Sequence, residues 1–535
     1  MRRNLQILFF TGCVLAVVIV FYGSSETALM DPDEARYAEA SKEMIEQGSY
    51  IVPLYNGAPR LNKPVLFYWL QIASYRLFGI NEFAARFPSM MAGIASILLV
   101  FSLGRLLFRD ETAIMAMFIF MTSLFFFAFS RLGTLDIVLL FFFTLSLLAF
   151  LKAERFSAQK LMRQRNGYIV LLAISLGFAF LTKGPVGVIV PLLIIIAYLL
   201  LTVKLAPFTW KNIISGILVF LAVAAPWSIA LVWKVGIADI LSLIKKETTE
   251  RYFVGFDHPQ PFYFFIIIFF AGFFPWSSFI PVAAFRKIRS YRQDRSGGEL
   301  FLLIWLILPL IFFSFSGSKL PGYILPVLPA ASGIVASEWL NLRGKEGTGD
   351  RKWFFMSGLP IMAAVLLLYL FYGNAVLPNF PRFKTFYIST FVISVLFLVL
   401  VAVFSIKKKM LLLFASITAF CALFFFAVIL FAMPMLQNMR STRELALQEL
   451  RSYEGFRIVS YRYNIPSLLF YSGRKIDLAS DERELERIAA APERSLVIIS
   501  VKNYWELSEP VKALFKVGSQ WNEFMLLVPD SKGRP

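Results

Sequence analysis

Histidine and cysteine are nearly absent. Of 535 residues one is His, His258, and two are Cys, Cys13 and Cys421. A lone histidine excludes clustered-His zinc chemistry. Two cysteines, each inside an apolar run, leave neither a disulfide framework nor a CxxC metal or redox pair. Charge is scarce too: 16% of residues are Asp, Glu, Lys or Arg, against about 25% in soluble domains. Acids are the scarcer sign, 34 against 53 bases, for a net charge of +19. There is no P-loop, no GxGxxG after a strand, no GxSxG and no HExxH, which removes support from nucleotide-driven pumping and soluble-type hydrolysis.

What fills the chain is apolar. Hydrophobic residues make up 58%, aromatic residues 16% and Phe alone 58 positions, with mean hydropathy +0.69. One soluble core cannot bury that much, so disorder and a soluble multidomain enzyme are both excluded. The composition is that of a polytopic α-helical membrane protein. The basic excess then reads as Lys and Arg retained in cytoplasmic loops, and no nucleic-acid partner is expected.

Runs long enough to span, about 20 residues at 1.5 Å rise, lie near 5–22, 84–104, 112–128, 135–151, 167–182, 185–203, 213–233, 262–284, 300–316, 320–340, 354–373, 385–405 and 411–432. That is about thirteen spans in a domain over 1–436, followed by a polar tail over 437–535. The first run follows Arg2 and Arg3 and precedes Gly-Ser-Ser-Glu-Thr without a small-x-small cleavage site, as an uncleaved anchor would. With the N-terminus in the cytoplasm, every second connection is basic: Arg105 and Arg109, the Lys152–Arg165 cluster, Lys204 and Lys211, the Arg286–Arg295 cluster, the Arg343–Lys352 cluster, and Lys407, Lys408 and Lys409. The positive-inside rule then puts the other loops and the tail outside, in the periplasm of a bacterial inner membrane.

Two long outer connections, 23–82 and 234–261, hold most of the remaining ionisable residues, so chemistry is expected at the outer boundary. In the first, Asp31 fits a helix N-cap, Pro32 the N1 position and Glu34 a capping box. The predicted helix runs to about Gln47, with Tyr37, Ser41, Met44 and Ile45 near one face, and would lie on the membrane. A second interfacial helix follows Asn62-Lys63-Pro64. Acids in a first helical turn often serve only the helix dipole. Here, however, Asp33 and Glu34 share a loop with Arg36, Arg60 and Lys63. Arg131, Lys183 and Lys319 sit at tight outer turns, where cations are disfavoured. Anionic phosphate is a reason to keep them, snorkelling at a helix end the plainer one. His258 fits a hydrogen-bonding boundary residue, and with nearby carboxylates it could hold a divalent cation loosely. In the tail, helical patterns near 441–453, 480–491 and 506–515 alternate with FRIVSYR, SLVIISV and FMLLVP, as in a small α/β domain.

Six motifs in order carry a resemblance: PDEARYAE at 32–39, NKPVLFYWL at 62–70, RLGTLD at 131–136, LTKGP at 181–185, DHPQPFYFF at 257–265 and SKLPGYILP at 318–326, with SLLFYSGR at 467–474 in the tail. Together they resemble the glycosyltransferase-C (GT-C) superfamily. More narrowly, the chain looks like the bacterial 4-amino-4-deoxy-L-arabinose lipid A transferases and their protein O-mannosyltransferase relatives. The resemblance implies an inverting transfer of a pentose or hexose from an undecaprenyl-phosphate carrier to lipid A, a related envelope glycolipid or a protein.

It also implies Asp33 as the catalytic carboxylate and Lys63 beside the carrier phosphate, a catalytic set to which the charges of the first loop add Glu34; Asp33 would act as general base toward a hydroxyl acceptor, or as an orienting group toward a phosphate acceptor. Arg36, Tyr37, Arg60, Arg131, Asp136, Lys183, His258, Lys319 and Tyr323 would bind substrate, several of them stabilising charge on the leaving phosphate. The family's metal-pairing Glu before Lys-Pro is Asn62 here, so no metal ligands are carried over. A lipid flippase or transporter would need ionisable residues at mid-span and broken paired helices, and a non-catalytic scaffold would tolerate loss of Asp33.

Overall fold

The computed structural model describes residues 3–202, 209–253, 258–294, 297–343, 364, 367, 369, 371, 373, 383–407, 409–491 and 493–530. They form two compact units. One comprises Met1–Ser24, Leu61–Phe67 and Arg86–Phe431, the other Ser25–Arg60, Tyr68–Ala85 and Ala432–Pro535.

The first is a membrane unit. Among the described residues nine helices are long and apolar enough to cross a bilayer, and two bent pairs raise the count to eleven. Val186–Thr202 is apolar but has 17 residues, and the expected span near 354–373 falls largely outside the described residues. The chain is a multi-pass membrane protein.

Two runs that each read as one span are broken. Asp110–Met121 and Leu124–Arg131 meet at 63°, Phe264–Gly272 and Trp276–Arg289 at 112°. Backbone freed by a break in an apolar layer must find partners in protein, and these breaks serve each other. The Leu124 N–H donates to the Phe274 carbonyl at 3.3 Å. Trp276 Nε1 donates to Thr122 Oγ1 at 2.9 Å, and Thr122 in turn donates to the Phe118 carbonyl at 2.5 Å. Gly272 permits the approach: a Cβ there would stand 2.4–2.5 Å from the Phe125 ring. Asp136–Ala158 and Pro321–Leu342 are the enclosed helices, with 72% and 89% of their apolar windows buried, against 6% for Trp210–Val235.

The second unit carries a five-stranded sheet of order β4-β3-β5-β7-β6: β3 Arg457–Tyr461, β4 Ile476–Ala479, β5 Ser495–Ser500, β6 Phe515–Trp521 and β7 Phe524–Pro529. β3 is parallel to β4 and β5, while β7 is antiparallel to β5 and β6. The α/β expectation for the tail is met. The apolar runs read from sequence are β3, β5 and β7, the inner strands, buried on both faces as such strands are. β4 and β6 at the edges carry polar residues and form no continuous apolar run.

The first loop supplies the rest of that unit. The Asp33–Glu46 helix forms where expected, but its membrane-lying face is corrected. Ala35, Ala38, Ala40, Ser41 and Met44 are all fully buried. Ala35 and Ala38 pack with Leu29, Tyr75, Ala84, Ala85 and Phe470. Protein rather than lipid takes up the helix's apolar surface.

The capping box is also corrected. The N-cap position is Pro32, with no side-chain cap bond. Glu34 reaches back instead to the Met30 N–H at 2.9 Å, and the Asp31 carboxylate accepts from the Ser467 N–H at 2.8 Å and from the Ser467 hydroxyl. A hairpin, β1 Leu54–Tyr55 and β2 Ala58–Pro59, was legible in its Asn56-Gly57 turn, both residues at positive φ. Asn56 then pairs with the Ile476 backbone, donating at 2.6 Å and accepting at 3.2 Å, which covers the open edge of β4.

Candidate active site

In the membrane unit the site-bearing residues sit at helix ends. Asp136 begins one enclosed helix and Lys183 ends Met162–Lys183. Lys183 Nζ donates to Asp136 Oδ1 at 2.5 Å and lies 4.7 Å from the centroid of the Tyr323 ring. Tyr323 belongs to the 3₁₀ turn Pro321–Val327 that opens the other enclosed helix. A Cβ on Gly322 would fall 2.8–3.0 Å from the Asp136 carboxylate, so glycine is what lets this turn close over the ion pair. The sequence expectation thus brings Asp136, Lys183 and Tyr323 together. The Lys183-Gly184 turn also lies beside the Lys63-Pro64 segment, since a Cβ on Gly184 would stand 3.9 Å from Pro64 Cγ. Lys63 Nζ donates to the Asn62 carbonyl and to Glu247 Oε2, both at 3.0 Å. Glu247 was missed; only the charge of the long loop around it could have pointed there.

Two other expected phosphate ligands are occupied differently. Arg131 is buried and donates to the carbonyls of Ile19 and Val20 at 2.7 and 3.1 Å, at the C-terminal end of Arg3–Phe21, where a cation is favoured. Lys319, also buried, donates to the carbonyls of Gln260 at 3.0 Å and Ser316, and burial lowers its pKa. Its backbone N–H bonds the His258 carbonyl at 3.1 Å, tying the SGSKLP turn to the DHPQP segment by a bridge between Pro259 and Ser318. His258 is itself exposed at φ 51°. Among the described residues no three His, Cys, Asp or Glu come together as a metal site would need. Asp257, beside His258, lies outside the described residues.

The loop-and-tail unit holds the acids. Asp33 opens its helix with a side chain 59% exposed, 3.5 Å from Arg36. Glu34 is buried and bound to the Met30 N–H. Arg60 donates to the Tyr68 hydroxyl at 3.1 Å and lies 5.5 Å above the Tyr37 ring, which packs 5.7 Å from Tyr68. So Asp33 faces water beside one guanidinium, while a second guanidinium and two rings stand fixed nearby in the same unit.

Residues 6–241 match the family model of dolichyl-phosphate-mannose-protein mannosyltransferases. The chain is 28% identical to an uncharacterised protein of Aquifex aeolicus over 96% of this chain and 97% of that one. It is 30% identical to the undecaprenyl phosphate-alpha-4-amino-4-deoxy-L-arabinose arabinosyl transferases of Edwardsiella ictaluri, over 67% of this chain and 65% of the relative, and of Yersinia pestis, over 60% and 57%. The match thus takes in less than two thirds of these named transferases' length. Among solved structures, ArnT of Cupriavidus metallidurans bound to undecaprenyl phosphate superposes over the whole of both chains with TM-score 0.81 at 22% identity. The chain has the glycosyltransferase-C fold. The same fold is visible in the oligosaccharyltransferase AglB of Archaeoglobus fulgidus, TM-score 0.52 at 14% identity, over all of this chain and 75% of that one.

Proposed function

We propose that the protein is an inverting GT-C glycosyltransferase that moves a sugar from an undecaprenyl-phosphate carrier to lipid A or a related envelope glycolipid. What carries the reading is the Lys183–Asp136–Tyr323 assembly, closed by Gly322 and flanked by Lys63, in a chain similar to aminoarabinose transferases. An ammonium has three N–H groups, and Lys183 spends one on Asp136. The others are available to a phosphate whose negative charge grows as the sugar leaves.

In the reaction, an acceptor oxygen attacks the anomeric carbon from the face opposite the carrier, and the bond from that carbon to the phosphate oxygen breaks. Undecaprenyl phosphate departs with the bonding electrons, held by Lys63 and Lys183. Where the acceptor is a hydroxyl, its proton passes to Asp33, a carboxylate exposed to water. Arg36 stands 3.5 Å from the Asp33 carboxylate. The loops carrying these residues face the periplasm of the inner membrane in this reading, with the N-terminus in the cytoplasm.

The match to protein mannosyltransferases makes a protein hydroxyl the second acceptor to examine. Mass spectrometry of lipid A and of envelope glycoproteins, from cells with and without the gene, tests both. Loss of a lipid A sugar is the expected result, and loss from a glycoprotein moves the acceptor. No sugar lost from either would overturn the transferase reading.

A further inference from the structure

Asp33 has little side-chain restraint of its own, so its aim depends on the backbone that delivers it. That backbone, residues 28–31, has neither helix nor strand to satisfy it. Four consecutive amides are nonetheless all bonded. Ala28 donates to Gln437 Oε1 at 2.9 Å, Leu29 to the Tyr471 hydroxyl at 2.8 Å, Met30 to Glu34 at 2.9 Å and Asp31 to the Arg440 carbonyl at 2.7 Å. Three of these acceptors come from residues 437–471, more than 400 positions away in the chain, within the same compact unit.

Proton accounting shows that this clamp has a direction. The Ser467 hydroxyl accepts from the Thr442 N–H at 2.9 Å and lies 2.8 Å from the Thr442 hydroxyl. The Asp31 carboxylate also takes the Ser467 N–H. A hydroxyl has one proton to give, and the Asp31 carboxylate, an acceptor only, receives that of Ser467. Thr442 must then donate with both its groups. The Tyr471 hydroxyl, having accepted from Leu29, gives its proton to Glu82 at 3.0 Å, and Glu82 is paired with Arg443 at 3.4 Å. Ser467 and Thr442 are fully buried, where an unmade bond is costly. Such a network rigidifies what it holds when every member is satisfied.

We infer that Asp31 and Ser467 are positioning residues for Asp33, so that the helix Pro466–Ser472 of the tail belongs to the catalytic apparatus. This rests on the transferase reading above, with Asp33 as the acting carboxylate. The tail does not touch substrate in this account. It fixes the backbone that leads from Asp31 through Pro32 to Asp33, and so the direction of the acid, where a misplacement of about 1 Å costs on the order of 10²-fold in rate.

The test uses the full-length protein purified in detergent, with a polyprenyl-phosphate sugar as donor and the acceptor that loses its sugar in the gene-deleted cells. Ser467→Ala should lower kcat about tenfold with KM for the donor within about twofold of wild type, and Ser467→Thr, which keeps the hydroxyl, should recover most of the rate. Asp31→Asn should fall similarly, and the double variant should be no slower than the worse single one, because both remove one contact. Tyr471→Phe, which strands the Leu29 N–H without touching Asp31, should give a smaller loss of the same kind. If Ser467→Ala and Tyr471→Phe both turn over at the wild-type rate, or if the loss appears in KM and is not rescued by threonine, the inference fails. Wild-type protein with no transfer at all, or with transfer unaffected by Asp33→Asn, would overturn instead the reading on which it rests.

Discussion

The two units treat their charged residues in opposite ways. In the membrane unit the cations at helix ends are each engaged, but by different partners. Lys63 and Lys183 meet carboxylates, while Arg131 and Lys319 meet backbone carbonyls. In the loop-and-tail unit the acids are the engaged groups: Glu34, Glu39 and Glu43 are buried, Asp31 is bound twice by Ser467, and Asp33 alone of the acids in the motif's first turn stands mostly in water. A cation bound to a carboxylate can share its remaining donors with a phosphate. A guanidinium that donates to helix-end carbonyls is engaged by the fold, and an acid tied to a serine steers the acid beside it. Residue type is therefore a poor guide to role, and the partner decides it.

The largest effect should come from the exposed acid. Asp33→Asn removes a base with almost no loss of contacts, so transfer to a hydroxyl acceptor should drop by about 10²- to 10⁴-fold with donor affinity nearly unchanged. Glu34→Gln, one residue on, should act on folding yield instead, since its carboxylate serves the Met30 N–H. A ratio near one between the two kcat values would erase the contrast between exposed and engaged acids. Next in size is Lys183→Ala. It strips the leaving phosphate of a donor, at about 10²- to 10³-fold in kcat, and leaves Asp136 without its partner at a cost of about 3–5 kcal/mol. Arg131→Lys should be nearly silent in kcat at saturating donor and should show itself in thermal stability. A kcat loss matching that of Lys183→Ala would return Arg131 to the phosphate.

A smaller effect separates geometry from charge within the membrane unit. Gly322→Ala leaves every ionisable group in place but adds a methyl where the Asp136 carboxylate already stands. The carboxylate or the turn must shift by several tenths of an ångström, so Lys183 loses its short bond or Tyr323 its place over the ammonium. We expect kcat to fall about tenfold, with the donor affinity of Lys63 kept. Wild-type kinetics for this variant would show that the closed turn is incidental.

The membrane unit was readable because a span is announced by twenty consecutive apolar residues, a local signal. The breaks at Thr122-Ser123 and Phe273–Pro275 were not, since an apolar run looks the same straight or bent and the bonds that stabilise the bend join residues about 150 apart. The pairing of Lys183 with Asp136 and Tyr323 could be anticipated only as membership of one group of motifs. The partners of Arg131 and Lys319 could not be read, because they are carbonyl oxygens, which every residue has and no sequence marks. In the tail, inner strands declared themselves by continuous apolar residues, and edge strands β4 and β6 did not. Asp31 read as a helix cap because the local pattern fits one. The competing donor, Ser467, lies 436 positions away and exists for Asp31 only once the fold has formed.

The smallest predicted effect concerns the engaged acids of the loop-and-tail unit, through pH. Burial raises the Glu39 carboxyl from 4.5 to about 7, outweighing Lys42 at 3.4 Å, which pulls it down; Lys42 is shared with the Phe470 carbonyl at 3.0 Å and with the Phe470 ring. Burial likewise raises Asp31 from 3.8 to about 6, against the hydrogen bonds of Ser467. A carboxyl raised on folding binds its proton more tightly in the folded than in the unfolded chain, so between its two pKa values stability falls as pH rises. For Glu39 that window runs from 4.5 to about 7, and above it the cost is fully present and constant. Glu39→Gln carries no titrating proton. Its thermal midpoint relative to wild type, measured on detergent-solubilised protein, should therefore climb by a few degrees across the window and level off beyond it. A difference that stays constant from pH 4 to 8 would mean that the partners of the Glu39 carboxylate fully offset its burial, and the contrast between buried and exposed acids would lose its electrostatic basis.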